Sequence, residues 1–183
     1  MGLRWKLAVS CLTVLLSVAG CTPGPDNMAL VSGKELDIKA LNGKWVFINY
    51  WAEWCKPCLE EIPELNRFAR EYRRKARVLG VNYDGLTGQE LSVQVDKMAI
   101  GFDVLEQDPA LALGFERPTV LPATYVLAPD GQLSGVLLGP QTTASLREVI
   151  EPSATIGREP SAKIGRKPSA THHESADAGG SQP

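Results

Sequence analysis

Apolar positions along this chain change period several times, and the changes mark out elements. Lys44 to Ala52, "KWVFINYWA", is nearly continuous in apolar and aromatic residues, the pattern of a central strand covered on both faces. Leu59, Ile62, Leu65, Phe68 and Tyr72 then recur at steps of three and four, which predicts one apolar face of a helix. Pro63 falls inside that helix, where it removes a backbone hydrogen bond and is expected to bend the axis. "ARVLGVNYD" reads as a second buried strand, and Leu91, Val95 and Met98 mark a second amphipathic helix. Asp108-Pro109 supplies an N-cap and a first-turn proline for a short helix in "ALALGF". "ATYVLA" and "QLSGVLL" flank Pro129-Asp130-Gly131, a hairpin turn, and a last helix runs from about Thr143 to Glu151 with Leu146, Val149 and Ile150 inward. The order β-α-β-α-β-β-α predicts an α/β fold with a mixed sheet flanked by helices. Leu30 to Gly43 adds room for a small N-terminal β-hairpin, and residues 88–115 form a helical insert.

The two ends follow other rules. Arg4 and Lys6 precede an apolar run from Leu7 to Val18, too short for the ~20 residues that span a bilayer and flanked as a secretory signal is. Val18-Ala19-Gly20-Cys21 resembles a bacterial lipobox, which implies that residues 1–20 are a lipoprotein signal peptide and that Cys21 is acylated. An ordinary signal peptide or an uncleaved anchor are the alternatives, and each puts the domain outside the cytoplasm. Residues 21–28, with Pro, Gly and Asp and no periodicity, read as a tether, and residues 29–151 as the folded domain. Beyond Pro152 come eight-residue copies, "EPSATIGR", "EPSAKIGR" and "KPSATHHE". Each offers one isoleucine or none to bury against ~1–2 kcal/mol of backbone entropy per residue, so 152–183 reads as a disordered tail.

Composition narrows the chemistry. At 183 residues and 44% hydrophobic content the chain is sized for one domain with appendages, and a formal charge of −2 gives no electrostatic case for nucleic acid. Signal cleavage would take away two positive charges, Arg4 and Lys6, moving the formal charge from −2 to −4, and would also remove Cys11. With Cys21 lipidated, Cys55 and Cys58 are the remaining thiols, able to bond only with each other or with a partner. Zinc needs about four ligands, while the only histidines, His172 and His173, lie in the tail, so no metal site is expected. A copper-delivery protein would call for a longer cysteine spacing and a histidine within the domain. A purely structural staple between Cys55 and Cys58 closes too small a loop to stabilise much.

Trp51-Ala52-Glu53-Trp54-Cys55-Lys56-Pro57-Cys58 after a buried strand, Pro63, and the distant "PTVLPATYVLAPDGQL" together resemble thioredoxin-like proteins. The lipobox, "VNYD" and the insert narrow the resemblance to the TlpA/ResA group of extracytoplasmic thiol-disulfide oxidoreductases, over roughly Ala29 to Ile150. The resemblance implies a thioredoxin-like fold and a catalytic Cys55–Cys58 dithiol/disulfide with no other cofactor. It further implies a cis Pro122, with Leu121 facing the cysteines and Trp54, Lys56, Pro57, Leu121 and Pro122 meeting the substrate. Helix-terminal amides and Lys56 favour thiolate at Cys55, making it the nucleophile and Cys58 the resolving thiol. In many thioredoxins a buried acid stands six residues before the first cysteine. Here that position is Asn49, so Glu53 and Asp84 become the proton-relay candidates. The implied function is a membrane-tethered reductase of disulfides in exported proteins, apocytochrome c among the clients, recharged by a membrane electron donor of the DsbD/CcdA type. A disulfide-donating oxidase and a non-enzymatic binding or copper-delivery lipoprotein are the alternatives.

Overall fold

The computed structural model describes residues 27–152. The signal segment, Cys21 and the repeat tail lie outside the described residues. The core is a five-stranded sheet in the order β5-β4-β3-β6-β7, in which β3 (Trp45–Trp51), β4 (Ala76–Asn82) and β5 (Asp103–Val104) are parallel and β6 (Ala123–Leu127) and β7 (Leu133–Leu138) antiparallel. Helices α1 (Lys56–Glu71), α2 (Gly88–Lys97) and α3 (Ala110–Leu113) occupy the connections, and α4 (Thr143–Ile150) follows β7.

Alternation along β3 divides the core in two. Phe47 and Trp51 point to the face where Cys58, Ile62, Leu65 and Phe68 of α1, Leu91 of α2 and Leu146 of α4 are buried. Val46, Ile48 and Tyr50 point to the other face and pack with Leu30, Leu36, Leu79, Val81 and Tyr125. Because both faces are covered, β3 has no polar side, which is why it reads as a continuous apolar run. Asn49 is the exception, fully buried on the α1 side.

Several details depart from the sequence reading. The N-terminal hairpin pairs β1 (Asn27–Ala29) with β2 (Glu35–Asp37), so the fold begins two residues inside the segment read as tether, where Met28 pairs with Leu36 and joins the outer core. Leu59 is exposed, and the buried face of α1 runs instead through Cys58, Glu61, Ile62, Leu65 and Phe68. Strand β5 was not expected from the sequence: its two residues pair with Leu79 and Gly80 of β4 and give no periodic signal. Helix α1 continues unbroken through Pro63. Asp108 does act at the start of α3, accepting the Ala110 N–H at 2.9 Å, although the N-cap itself is Pro109.

Candidate active site

The parallel strands β3 and β4 end together, the Tyr83 N–H donating to the Trp51 carbonyl, and the chain leaves β3 through Ala52–Trp54 to start α1. Cys55 is the N-cap of that helix, and its sulfur accepts the Cys58 N–H at 3.3 Å. Helix-terminal amides are donors without intrahelical partners, and they carry the positive end of the macrodipole. Negative charge on Cys55 Sγ is therefore favoured where the sequence placed it. Pro57 stands in the first turn, where its missing N–H costs nothing. Cys55 and Cys58 are joined as a disulfide, with Cα atoms 5.2 Å apart. Cys58 is fully buried and Cys55 nearly so.

Two surfaces flank the pair. Trp54, next to the nucleophile, is 65% exposed, with its indole N–H shared between the two Asp84 carboxylate oxygens at 3.1 and 3.2 Å. On the other surface the Leu121–Pro122 peptide bond is cis, and Leu121 packs against the cluster that contains both cysteines. Lys56 points to solvent, while Pro57 is half-buried. Trp54 and Pro57 thus adjoin the disulfide along the chain, and Leu121, joined to Pro122 by the cis bond, packs against the cluster that holds it.

The two proton-relay candidates are otherwise engaged. Glu53 accepts from Gln94 Nε2 at 2.9 Å and pairs with Lys97, both on α2. Asp84 holds the Trp54 indole. The acid beneath the site is one that sequence reasoning missed, Glu61, 1% exposed. One oxygen accepts from Asn49 Nδ2 at 2.7 Å, and the other from the Gln141 backbone N–H at 2.8 Å. Asn49 also donates to Thr124 Oγ1 at 3.0 Å, across the β3–β6 register that sets Asn49 opposite Thr124. Burial pushes the Glu61 carboxyl up to about 7, while these two hydrogen bonds work in the opposite direction. On α1, Glu61 lies three residues after Cys58, so the two share the helix's buried face. A partial signal was present: three-residue steps back from Phe68, Leu65 and Ile62 reach Leu59, whereas four-residue steps from Leu65 and Ile62 reach Glu61 and Cys58, the pair the fold buries.

Residues 24–136 match the model of the AhpC/TSA family, a span covering more than half of the chain. The chain belongs to the AhpC/TSA family. Within this family it is 30% identical over 126 residues to the thiol-disulfide oxidoreductase ResA of Bacillus thuringiensis subsp. konkukian (strain 97-27), covering 66% of this chain and 70% of the relative. ResA of Bacillus subtilis (strain 168) is 26% identical over 130 residues, covering 69% of this chain and 72% of the relative. Among solved structures, a thioredoxin-family thiol:disulfide interchange protein from Chlorobium tepidum TLS superposes with a TM-score of 0.57 at 25% identity, over 72% of this chain and 97% of that one. This AhpC/TSA member is a thiol-disulfide oxidoreductase of the ResA/TlpA type with a thioredoxin-like fold, and Cys55–Cys58 is its CxxC pair. Of the function classes weighed from the sequence, the enzyme stands and the non-enzymatic lipoprotein does not.

Proposed function

We propose that the chain is an extracytoplasmic disulfide reductase, tethered to a bacterial membrane through lipid on Cys21, that reduces disulfides in exported proteins. The observation that carries the catalytic part is the Cys55–Cys58 disulfide capping α1 beside exposed Trp54 and cis Leu121–Pro122. The Cys55 thiolate of the reduced protein attacks one sulfur of a client disulfide. A mixed disulfide forms, and the other client cysteine departs as thiolate. Cys58 then gives up its proton and attacks Cys55 Sγ; the Cys55–Cys58 bond forms, the mixed bond breaks, and the second client thiolate leaves. The client gains two electrons and the enzyme loses them. The dithiol itself carries the electrons, so a membrane electron donor of the DsbD/CcdA type must restore it. Apocytochrome c, whose haem-attachment thiols must be reduced, is one client of suitable chemistry.

Glu61 is the group we assign to the Cys58 proton. It is buried on the same helical face as Cys58, and with its carboxyl pushed up to about 7 by burial, its ionised form is basic enough to take up a proton near neutral pH. The export and tether readings rest on Arg4, Lys6, the apolar run to Val18 and the "VAGC" stretch. Among the described residues no helix is long and apolar enough to cross a membrane.

Insulin reduction tests the activity: the reduced protein should precipitate the insulin B chain, and Cys55→Ser should fall to the uncatalysed background. Redox titration of Cys55–Cys58 tests the direction. A potential well below that of a secreted-protein oxidant is expected, and a strongly oxidising one would assign the disulfide-donating role instead.

A further inference from the structure

Trp54 stands far out of the surface for an indole, yet it is not loose. Besides the Asp84 bond, its ring meets the Tyr83 ring edge-on, with centroids 6.4 Å apart and planes at 84°. Tyr83 is itself backed by Arg117, whose guanidinium carbon lies 4.8 Å from the ring centroid and whose Nη2 donates to the Tyr83 carbonyl at 2.6 Å. Arg117 Nε reaches Asp108 Oδ2 at 2.6 Å. The other Asp108 oxygen accepts from the Tyr50 hydroxyl, also at 2.6 Å, and from the Ala110 N–H. A surface ion pair alone would contribute little, but this guanidinium is fixed by a ring, a carbonyl and a carboxylate that is itself held from the core.

The place of Arg117 in the chain gives this brace its consequence. Arg117 lies four residues before Leu121, in the segment that carries half-exposed Val120 to the cis bond. The same segment is tied down at Glu116, whose carbonyl accepts the Tyr125 hydroxyl, and at Phe115, which stacks on Tyr125 at 4.3 Å. Arg117 therefore ties the Trp54–Tyr83 surface to the Val120–Leu121 surface from outside, in addition to the core clusters on which Tyr83 and Leu121 both pack.

We propose that Arg117 is a positioning residue for client selection, holding these two surfaces at one spacing so that an extended polypeptide disulfide is preferred over a small one. The inference rests on the reading of Trp54, Leu121 and Pro122 as client-binding. A small disulfide needs only the sulfur of Cys55. An extended chain must meet both surfaces at once, and surfaces already held in place reduce the ordering cost of binding. The exposed residues it would meet, Trp54 and Val120, are apolar, and the Arg117 charge is already balanced by Asp108. The client suited to this surface is thus a polypeptide with an apolar or aromatic residue near its disulfide.

The test uses the reduced protein, oxidised by insulin or by hydroxyethyl disulfide, with rates followed by tryptophan fluorescence. Arg117→Met is expected to lose about five- to tenfold on insulin, expressed in KM, with a much smaller loss on hydroxyethyl disulfide. Tyr83→Leu should reproduce that selective loss, and the double variant should be no worse than either single one. Arg117→Lys keeps the charge over the ring but not the planar fork, and should fall between. Equal losses on both substrates, additive losses, or a shifted Cys55–Cys58 potential would overturn the proposal. Trp54→Ala separates the two levels: if it leaves the insulin-to-small-disulfide ratio unaltered, the client-surface reading itself fails. If Trp54→Ala moves the ratio and Arg117→Met does not, only the role of Arg117 is lost.

Discussion

At the scale of single residues, the proton chemistry depends on where an acid is buried. Glu61 ionises near its ordinary 4.5 in the unfolded chain and near about 7 in the native protein. Between those values the unfolded state sheds its proton first, so native stability falls as pH rises across the window, by up to roughly 3 kcal/mol. Urea unfolding of the oxidised protein at pH 5 and pH 8 should show that fall, and Glu61→Gln should largely remove it. In the reaction the same group must be ionised to accept a proton, so the rate of closure of Cys55–Cys58 is expected to rise through about pH 7 and to lose that rise in Glu61→Gln. Asn49 and Glu61 meet at 2.7 Å as one amide and one carboxyl. Asn49→Asp combined with Glu61→Gln keeps one of each, and the double variant should recover part of the pH dependence that Glu61→Gln loses, read by single-turnover kinetics.

At the scale of elements, the site is set by two ends and one close approach. Helix α1 starts just after Cys55, whose sulfur serves as its cap, and α4 starts with a capping box between Thr142 and Ser145. Glu61 and Glu64 of α1 accept the N–H groups of Gln141 and Thr143, joining the reactive helix to the entry of α4. On β4 the approach is closest at Gly80, where an added Cβ would come within 3.0 Å of the Phe102 ring and of Trp51 Nε1, and 3.1 Å of Val104. Trp51 is fully buried just before the active-site turn, so it cannot yield without moving that turn. Gly80→Ala is expected to destabilise by about 1–3 kcal/mol in denaturant titrations, through overpacking rather than loss of a contact. The helices were legible from their three- and four-residue period, and the central strands from their continuous apolar runs. Short β5 was not, since two residues cannot show a period.

At the scale of the whole molecule, Asn27 shares a recess with Gln107, Asp108 and Pro109, so the chain enters the domain beside the carboxylate that holds Arg117. Under the proposed lipidation, the residues from Cys21 to Asn27 span at most ~20 Å, which keeps this end close to the bilayer. Cys21→Ser should move the protein from the detergent phase to the aqueous phase in a phase-separation assay while insulin reduction by the purified protein persists. Lengthening the tether should slow recharging by membranes without slowing insulin reduction.

The sequence by itself determined the order of the longer elements and the CxxC pair at a helix start, because each is a local pattern, a period or a spacing; the proline loop that faces the pair came from the resemblance of "PTVLPATYVLAPDGQL" to thioredoxin-like proteins. It also marked Asn49 as a polar residue in an apolar strand. What it did not contain was the partner of Asn49. That followed only from tertiary structure, since the rotation of α1 turns Leu59 outward and Glu61 inward, and β3–β6 register sets Asn49 opposite Thr124. The same holds for Glu53 and Asp84: both are near the cysteines in sequence, yet packing commits them to α2 and to Trp54. Local sequence fixes which groups are near a site along the chain; burial and register decide which of them the site can use.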